Sequence, residues 1–291
     1  FRQTQLFFDT PFLMYLVGHA GPERQEPCKE LISLLENSGA LLRCFRHTVD
    51  EAKGILEAIG HRMHRSDIAS LYGPSVDYFL MQGLSSSDVF LLQSRLERDI
   101  QSFGIRIVEK PDYAEGLYPY VIDELELKRE LQEQIKYRNE SALDRDVESI
   151  AAIMRLRRGR YTYEIEDSPA VLVTTNSALC RVARDFITRE AGEPGAVPPA
   201  ITDKLLTNLL WLKRPFDAPD LPRKRIIADC YAAVQPSDRL WAAYIHEVEK
   251  LEQRGNITAD DYYVLRYSLE ARKALMEVTL GDETAFSQGS V

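Results

Sequence analysis

The run "PAVLVTTN", residues 169–176, decides how the chain is read. Val171, Leu172 and Val173 follow one another without a polar break, and two threonines lead into Asn176. An unbroken, β-branched apolar run is the pattern of a strand covered on both faces, as strands are in a parallel sheet. A helical pattern, "SALCRVARDFITRE", follows at once. Working outward, the same strand-then-helix order recurs. "QLFFDT" (5–10) reads as a buried strand, and Pro11 opens the next helix with Thr10 as its cap. "GALLRCF" (39–45) leads into "TVDEAKGILEAIGHRM", and "IRIVEKP" (105–111) alternates as a third strand before two charged helices. The expectation is an α/β fold, a central and mainly parallel sheet sandwiched by helices.

Composition bounds what such a chain does. With 291 residues and 45% apolar content, a sizeable core is expected and wholesale disorder is not. A net charge of −9 argues against nonspecific coating of nucleic acid, but is compatible with an enzyme whose own site is acidic. Four cysteines (Cys28, Cys44, Cys180, Cys230) are widely spaced without a CxxC pair, so a reduced, cytoplasmic setting is expected. The apolar run at 6–17 is too short to span a bilayer and is broken by Asp9 and Pro11, so no membrane partner is expected.

At "AGEPGAVPPA" (191–200) the composition changes, with two glycines and three prolines, and this stretch reads as a linker or edge segment. Residues 1–202 are expected to form the sheet domain, with a helical insertion around 62–104. Residues 203–291 are expected to form an all-helical extension packed on it. The stripe Leu240, Trp241, Tyr244, Ile245, Val248 and Leu251 needs a covering surface, either the core or a protein partner or second copy of the chain.

Four polar residues occupy comparable places. Asp9 ends the first strand, Glu51 and Asp146 are read in the first turns of helices, and Asn176 ends the 169–176 run. In an open parallel sheet the carboxyl ends of the strands meet at one crevice, where ligands bind. Register favours Glu51 over Asp50, because it leads Ile55 and Ile59 toward the core. It favours Asp146 over Asp144, because Asp146 leads Ile150 and Ile153 while Asp144 suits the N-cap. Taken one at a time, such residues also serve as ordinary helix caps. Taken together, three carboxylates repel unless a cation sits among them, and hard oxygen donors suit Mg²⁺ or Mn²⁺.

"FFDTPFLMYLVG", "HTVDEAKGIL", "RDVESIAAIMRLR" and "VLVTTNSAL" together resemble the PIN-domain nucleases, over roughly residues 3–202. The resemblance implies a metal-dependent endonuclease acting on single-stranded nucleic acid, RNA favoured over DNA. Asp9, Glu51, Asp146 and Asn176 would be catalytic, and the first three would bind metal. Asp144, Thr10, Thr175 and Ser177 are secondary candidates. It implies a 5′-phosphate and a 3′-hydroxyl as products. The family position matched by Asn176 is Asp or Asn. A different reading is a PIN-like scaffold with weak or no catalysis that binds a protein or nucleic-acid partner. A phosphatase of the haloacid dehalogenase type would want a second Asp two residues after Asp9, where Pro11 stands.

Two basic clusters remain. "RLRRGR" carries Arg155, Arg158 and Arg160, about 15 Å from Asp146 by helix rise, so it would touch a nucleic acid only away from the scissile bond. Cations at a helix C-terminus equally complement its dipole. "LPRKRII" (221–227) is of the same kind.

Overall fold

Five strands form one sheet in the order β3-β2-β1-β4-β5, and every neighbouring pair is parallel. They are β1 (Gln5–Phe8), β2 (Leu41–Phe45), β3 (Arg106–Val108), β4 (Ala170–Thr174) and β5 (Ala200–Thr202). The computed structural model describes residues 1, 3–64, 73–111, 115–137, 139–213, 236, 238–267 and 269–279. The cluster at 221–227 and Cys230 lie outside the described residues.

Twelve helices are described. Those nearest the sheet in sequence are α1 (Thr10–Leu16), α2 (Pro22–Asn37), α3 (Arg46–His64), α4 (Pro74–Met81) and α5 (Ser86–Ser102). Next come α6 (Glu124–Ile135), α7 (Glu140–Arg157), α8 (Ser177–Ala191) and α9 (Asp203–Lys213). The last three are α10 (Asp238–Gln253), α11 (Ala259–Tyr267) and α12 (Leu269–Thr279). The expected α/β sandwich with helices beyond it is what the chain forms. Among the described residues no helix is long and apolar enough to cross a membrane.

The chain divides into two compact units. One comprises residues 1–17, 28–54 and 94–222 and holds the whole sheet together with α9. The other comprises 18–27, 55–93 and 223–291. Its helices α10 to α12 have a core of their own, with Leu240, Trp241, Tyr244, Ile245, Val248, Tyr262 and Leu275 buried together. Tyr263 and Val278 stay exposed on the outer side of this cluster's helices.

In the sheet unit, β4 is buried along its whole length, as an apolar run between two layers requires. Its register against β1 sets Phe8 beside Val173. Phe7 stacks on Phe45 at 4.3 Å, in a core completed by Leu127 and Leu131 of α6, Ile150 and Ile153 of α7, and Phe186 of α8. The stretch 191–200 ends on β5, a three-residue strand at the sheet's edge, which the Pro198–Pro199 pair immediately precedes.

Arg157 ties this edge down. It is 1% exposed, and its guanidinium donates to the carbonyls of Ala170 (2.8 Å), Val197 (2.7 Å) and Pro198 (2.7 Å). Burying that charge is costly, and three carbonyl acceptors offset the cost.

Candidate active site

Strand order locates the crevice. The chain lays β2 and β3 to one side of β1, then returns to lay β4 and β5 on the other. The order therefore reverses between β1 and β4, and a parallel sheet opens its ligand crevice at the carboxyl ends of that pair. Asp9 follows β1 directly, and Thr174 to Asn176 close β4.

Asp9 serves two structural tasks there. It, and not Thr10, is the N-cap of α1, with Oδ1 accepting from the Phe12 amide at 3.0 Å, because the helix already starts at Thr10. Its Oδ2 accepts from the Thr174 hydroxyl, which bridges the ends of the two central strands. The same hydroxyl accepts from the Asn176 amide at 2.9 Å, and the Asn176 side chain caps α8 by accepting from the Leu179 amide at 3.1 Å. So Asp9 and Asn176 meet through Thr174.

Glu51 and Asp146 are not caps. Helix α3 begins at Arg46, and α7 begins at Glu140 with Asn139 as its N-cap, accepting from the Ser141 amide at 3.0 Å. Both acids therefore stand in second turns, where the helix's own carbonyls satisfy the amides. This corrects the first-turn placement and removes the capping role read for Asp144. Asp144 instead pairs with Lys128 at 2.6 Å. Ile55, expected on the inner row below Glu51, is 39% exposed, whereas Ile59, Ile150 and Ile153 are buried.

Glu51 receives the Thr10 hydroxyl at 2.6 Å and the Arg145 guanidinium at 2.9 Å. Asp146 receives the Tyr137 hydroxyl. Thr175 is half-buried beside Asn176, and Ser177 is exposed at the start of α8.

The acids feel one another. Burial pushes the Asp9 carboxyl up to about 7; the Thr174 and Phe12 hydrogen bonds oppose this, and the charges of Asp146 and Asp203 add to it. Burial likewise lifts Asp146 to about 6, against the Tyr137 hydrogen bond and with the charge of Glu51. Cys180, a free thiol, is pushed up to about 12 by burial and then by Asp9, Asp203 and Asp146.

Asp203 is an acid that the sequence pattern alone does not single out. It is 4% exposed and starts α9 directly after β5. Its signal is the same as that of the other acids, a carboxylate between a strand end and a helix start, in "AITDKLL". The signal is weak because the strand before it is three residues long and abuts a proline-rich stretch.

Arg155 is 1% exposed and donates to Glu124 at 3.0 Å. It is thus removed from the cations that face solvent, while Arg158 and Arg160 stay exposed at the end of α7. Among the described residues no group of three or more His, Cys, Asp or Glu side chains is gathered closely enough to hold a metal ion. A hard cation such as Mg²⁺ does not require one, since it commonly keeps several waters and takes one or two carboxylates. The carboxylates of Asp9 and Asp146 match that pattern in donor type and charge.

Comparison with protein-family models, with curated proteins and with solved structures finds no match in any of the three.

Proposed function

We propose that the sheet unit is a metal-dependent nuclease that hydrolyses phosphodiester bonds of single-stranded nucleic acid, RNA in preference to DNA, in the cytoplasm. The observation that carries this reading is the gathering of acids at the strand-order reversal, Asp203 buried and Asp9, Glu51 and Asp146 half-buried, with Asp9 and Asp146 within electrostatic reach of each other and of Asp203 and Glu51. Asp9 and Asp146 would hold Mg²⁺ or Mn²⁺, with Glu51 and Asp203 completing the negative field. A bound divalent ion would supply a water of lowered pKa and charge neutralisation for the phosphate.

The chain's own groups do the rest. The Thr174 hydroxyl and the Phe12 amide hold the Asp9 carboxylate in one orientation. The N-termini of α8 and α9 open toward the same strand ends, and their partial positive charge favours an anionic substrate beside an acidic pocket. Exposed Arg158 and Arg160 lie too far along α7 for the scissile bond and would steer the strand at most.

The test is Mn²⁺ calorimetry together with cleavage of end-labelled single-stranded RNA, on the wild type and on Asp9→Asn. Asn caps a helix as well as Asp does, so α1 keeps its cap while the carboxylate is lost. Loss of Mn²⁺ binding and cleavage together supports the reading.

A second reading is favoured by two observations. Glu51 is already held by Arg145, and Tyr263, Val264 and Val278 leave apolar surface exposed on α11 and α12. On this reading the protein is a weakly catalytic scaffold for a protein partner or a second copy of itself. A wild type that neither binds Mn²⁺ nor cuts RNA, but that self-associates until Val278→Asp disperses it, selects the scaffold.

A further inference from the structure

On the β2 and β3 side of the sheet two arginines stand shoulder to shoulder. Arg43 and Arg106 are register partners across the parallel pair, so they share a face at the distance of neighbouring strands. Neither forms a hydrogen bond or an ion pair with a described side chain. The Nε of Arg43 is buried and without a hydrogen-bond acceptor. Both arginines line a cavity of about 310 Å³, which Glu36 and Gly104 also line. Burial and the charge of Arg106 both weaken the hold of Arg43 on its proton. Like charges held this close, with a buried donor unsatisfied, are a standing cost unless something negative comes between them. Arg157, with three carbonyl acceptors, is how the same fold treats an arginine whose partners are internal.

We propose that the cavity between β2 and β3 is a binding site for a phosphate-class oxyanion, held by Arg43 and Arg106. Planar guanidiniums match the oxygen spacing of phosphate, and each presents two parallel donors to it. The space exceeds what a bare phosphate fills, so a phosphate monoester also fits. Glu36 is the opposing charge in the cavity lining, and it favours a ligand whose non-phosphate end carries donors. This site is separate from the acids near Asp9 and does not rest on the nuclease reading.

Calorimetry and thermal melts of the full chain near neutral pH test it, with inorganic phosphate, adenosine 5′-monophosphate, and chloride at matched ionic strength as probes. The expected result is saturable binding of phosphate or the monoester and a rise in melting temperature that chloride does not reproduce. Tighter binding of the monoester assigns the ester as ligand, and equal binding assigns the free oxyanion. Affinity falls about tenfold or more in Arg43→Gln and in Arg106→Gln, rises in Glu36→Gln, and is unchanged in Asp9→Asn. If Arg43→Gln does not fold, Arg106→Gln on the exposed edge strand decides. Lack of saturation beyond the chloride response, or undiminished binding by Arg106→Gln, overturns the proposal. The pair would then serve only as charges that keep an edge strand from pairing with another chain.

Discussion

At the carboxyl ends of β1 and β4 the chain crowds acids; across β2 and β3 it sets two arginines side by side. Both arrangements collect like charge, and the chemistry of each side chain decides how the repulsion is relieved. A carboxyl discharges itself by taking a proton, and Asp9 and Asp146 do so readily, with values raised to about 7 and about 6. A guanidinium stays charged throughout the pH range in which proteins fold, so the Arg43–Arg106 repulsion is relieved by a counter-charge and not by loss of a proton. The acidic end is therefore tunable by pH, and the basic end by ligand.

The sharpest way to calibrate the comparison is an arginine whose charge is fully met. Arg157→Ala strands three carbonyls in the interior and is expected to cost about 3–5 kcal/mol, read as a lower urea midpoint. A loss no larger than that of an exposed arginine would break the contrast between met and unmet charge.

Next in size is the pH dependence of the acids. A carboxyl whose folded value lies above its unfolded value stabilises the fold only while protonated. That contribution is complete below about pH 4, and it is lost as pH rises through about 6 for Asp146 and about 7 for Asp9. Asp9→Asn is therefore expected to be more stable than wild type at pH 8, by about 1–3 kcal/mol, with the difference gone near pH 4. Equal gains at both pH values would mean that the substitution acts through something other than charge. On the proposed nuclease reading, Mn²⁺ would compete with protons for the carboxylates and would raise the melting temperature more at pH 8 than at pH 5.

The smallest effect concerns Arg145, which meets Glu51 at 2.9 Å with both side chains partly exposed. Arg145→Ala is expected to cost about 0.5–1 kcal/mol of stability and, on the proposed nuclease reading, to tighten Mn²⁺ binding, since the negative field loses its internal cation. Tighter binding would mark Arg145 as a competitor for the site; weaker binding would mark it as part of the site's support.

Four of the five strands are legible in the sequence because each is an apolar or alternating run with a helical pattern after it. β5 is not, because Ala200–Thr202 is too short to show a period and its prolines dominate the local signal. Asp9 and Asn176 are legible as strand-end residues, and both do cap helices as well. Glu51 and Asp146 are legible from helical rows, but the starts of their helices are not. Arg46 and Asn139 begin or cap those helices without an apolar period at that point to mark them. Pairings across the sheet, such as Arg43 with Arg106 or Thr174 with Asp9, depend on register between distant segments. No local pattern carries that information.

The register of β1 against β4 has a consequence for how the molecule comes into being. Phe8 pairs with Val173, so the central seam of the sheet closes only after a very long loop has been bridged, whereas β1 pairs with β2 across a much shorter one. Closing long loops is entropically costly and slows folding. The β1–β2 ribbon can therefore assemble early, with one side of β1 left as an open edge, and β4 docks late. The Thr174 bridge and the acid crevice exist only after that docking. In refolding experiments, formation of the acid crevice should thus trail the recovery of helical signal, and with it, on the proposed nuclease reading, any Mn²⁺ binding; a nascent chain that ends before residue 170 should have no such pocket at all.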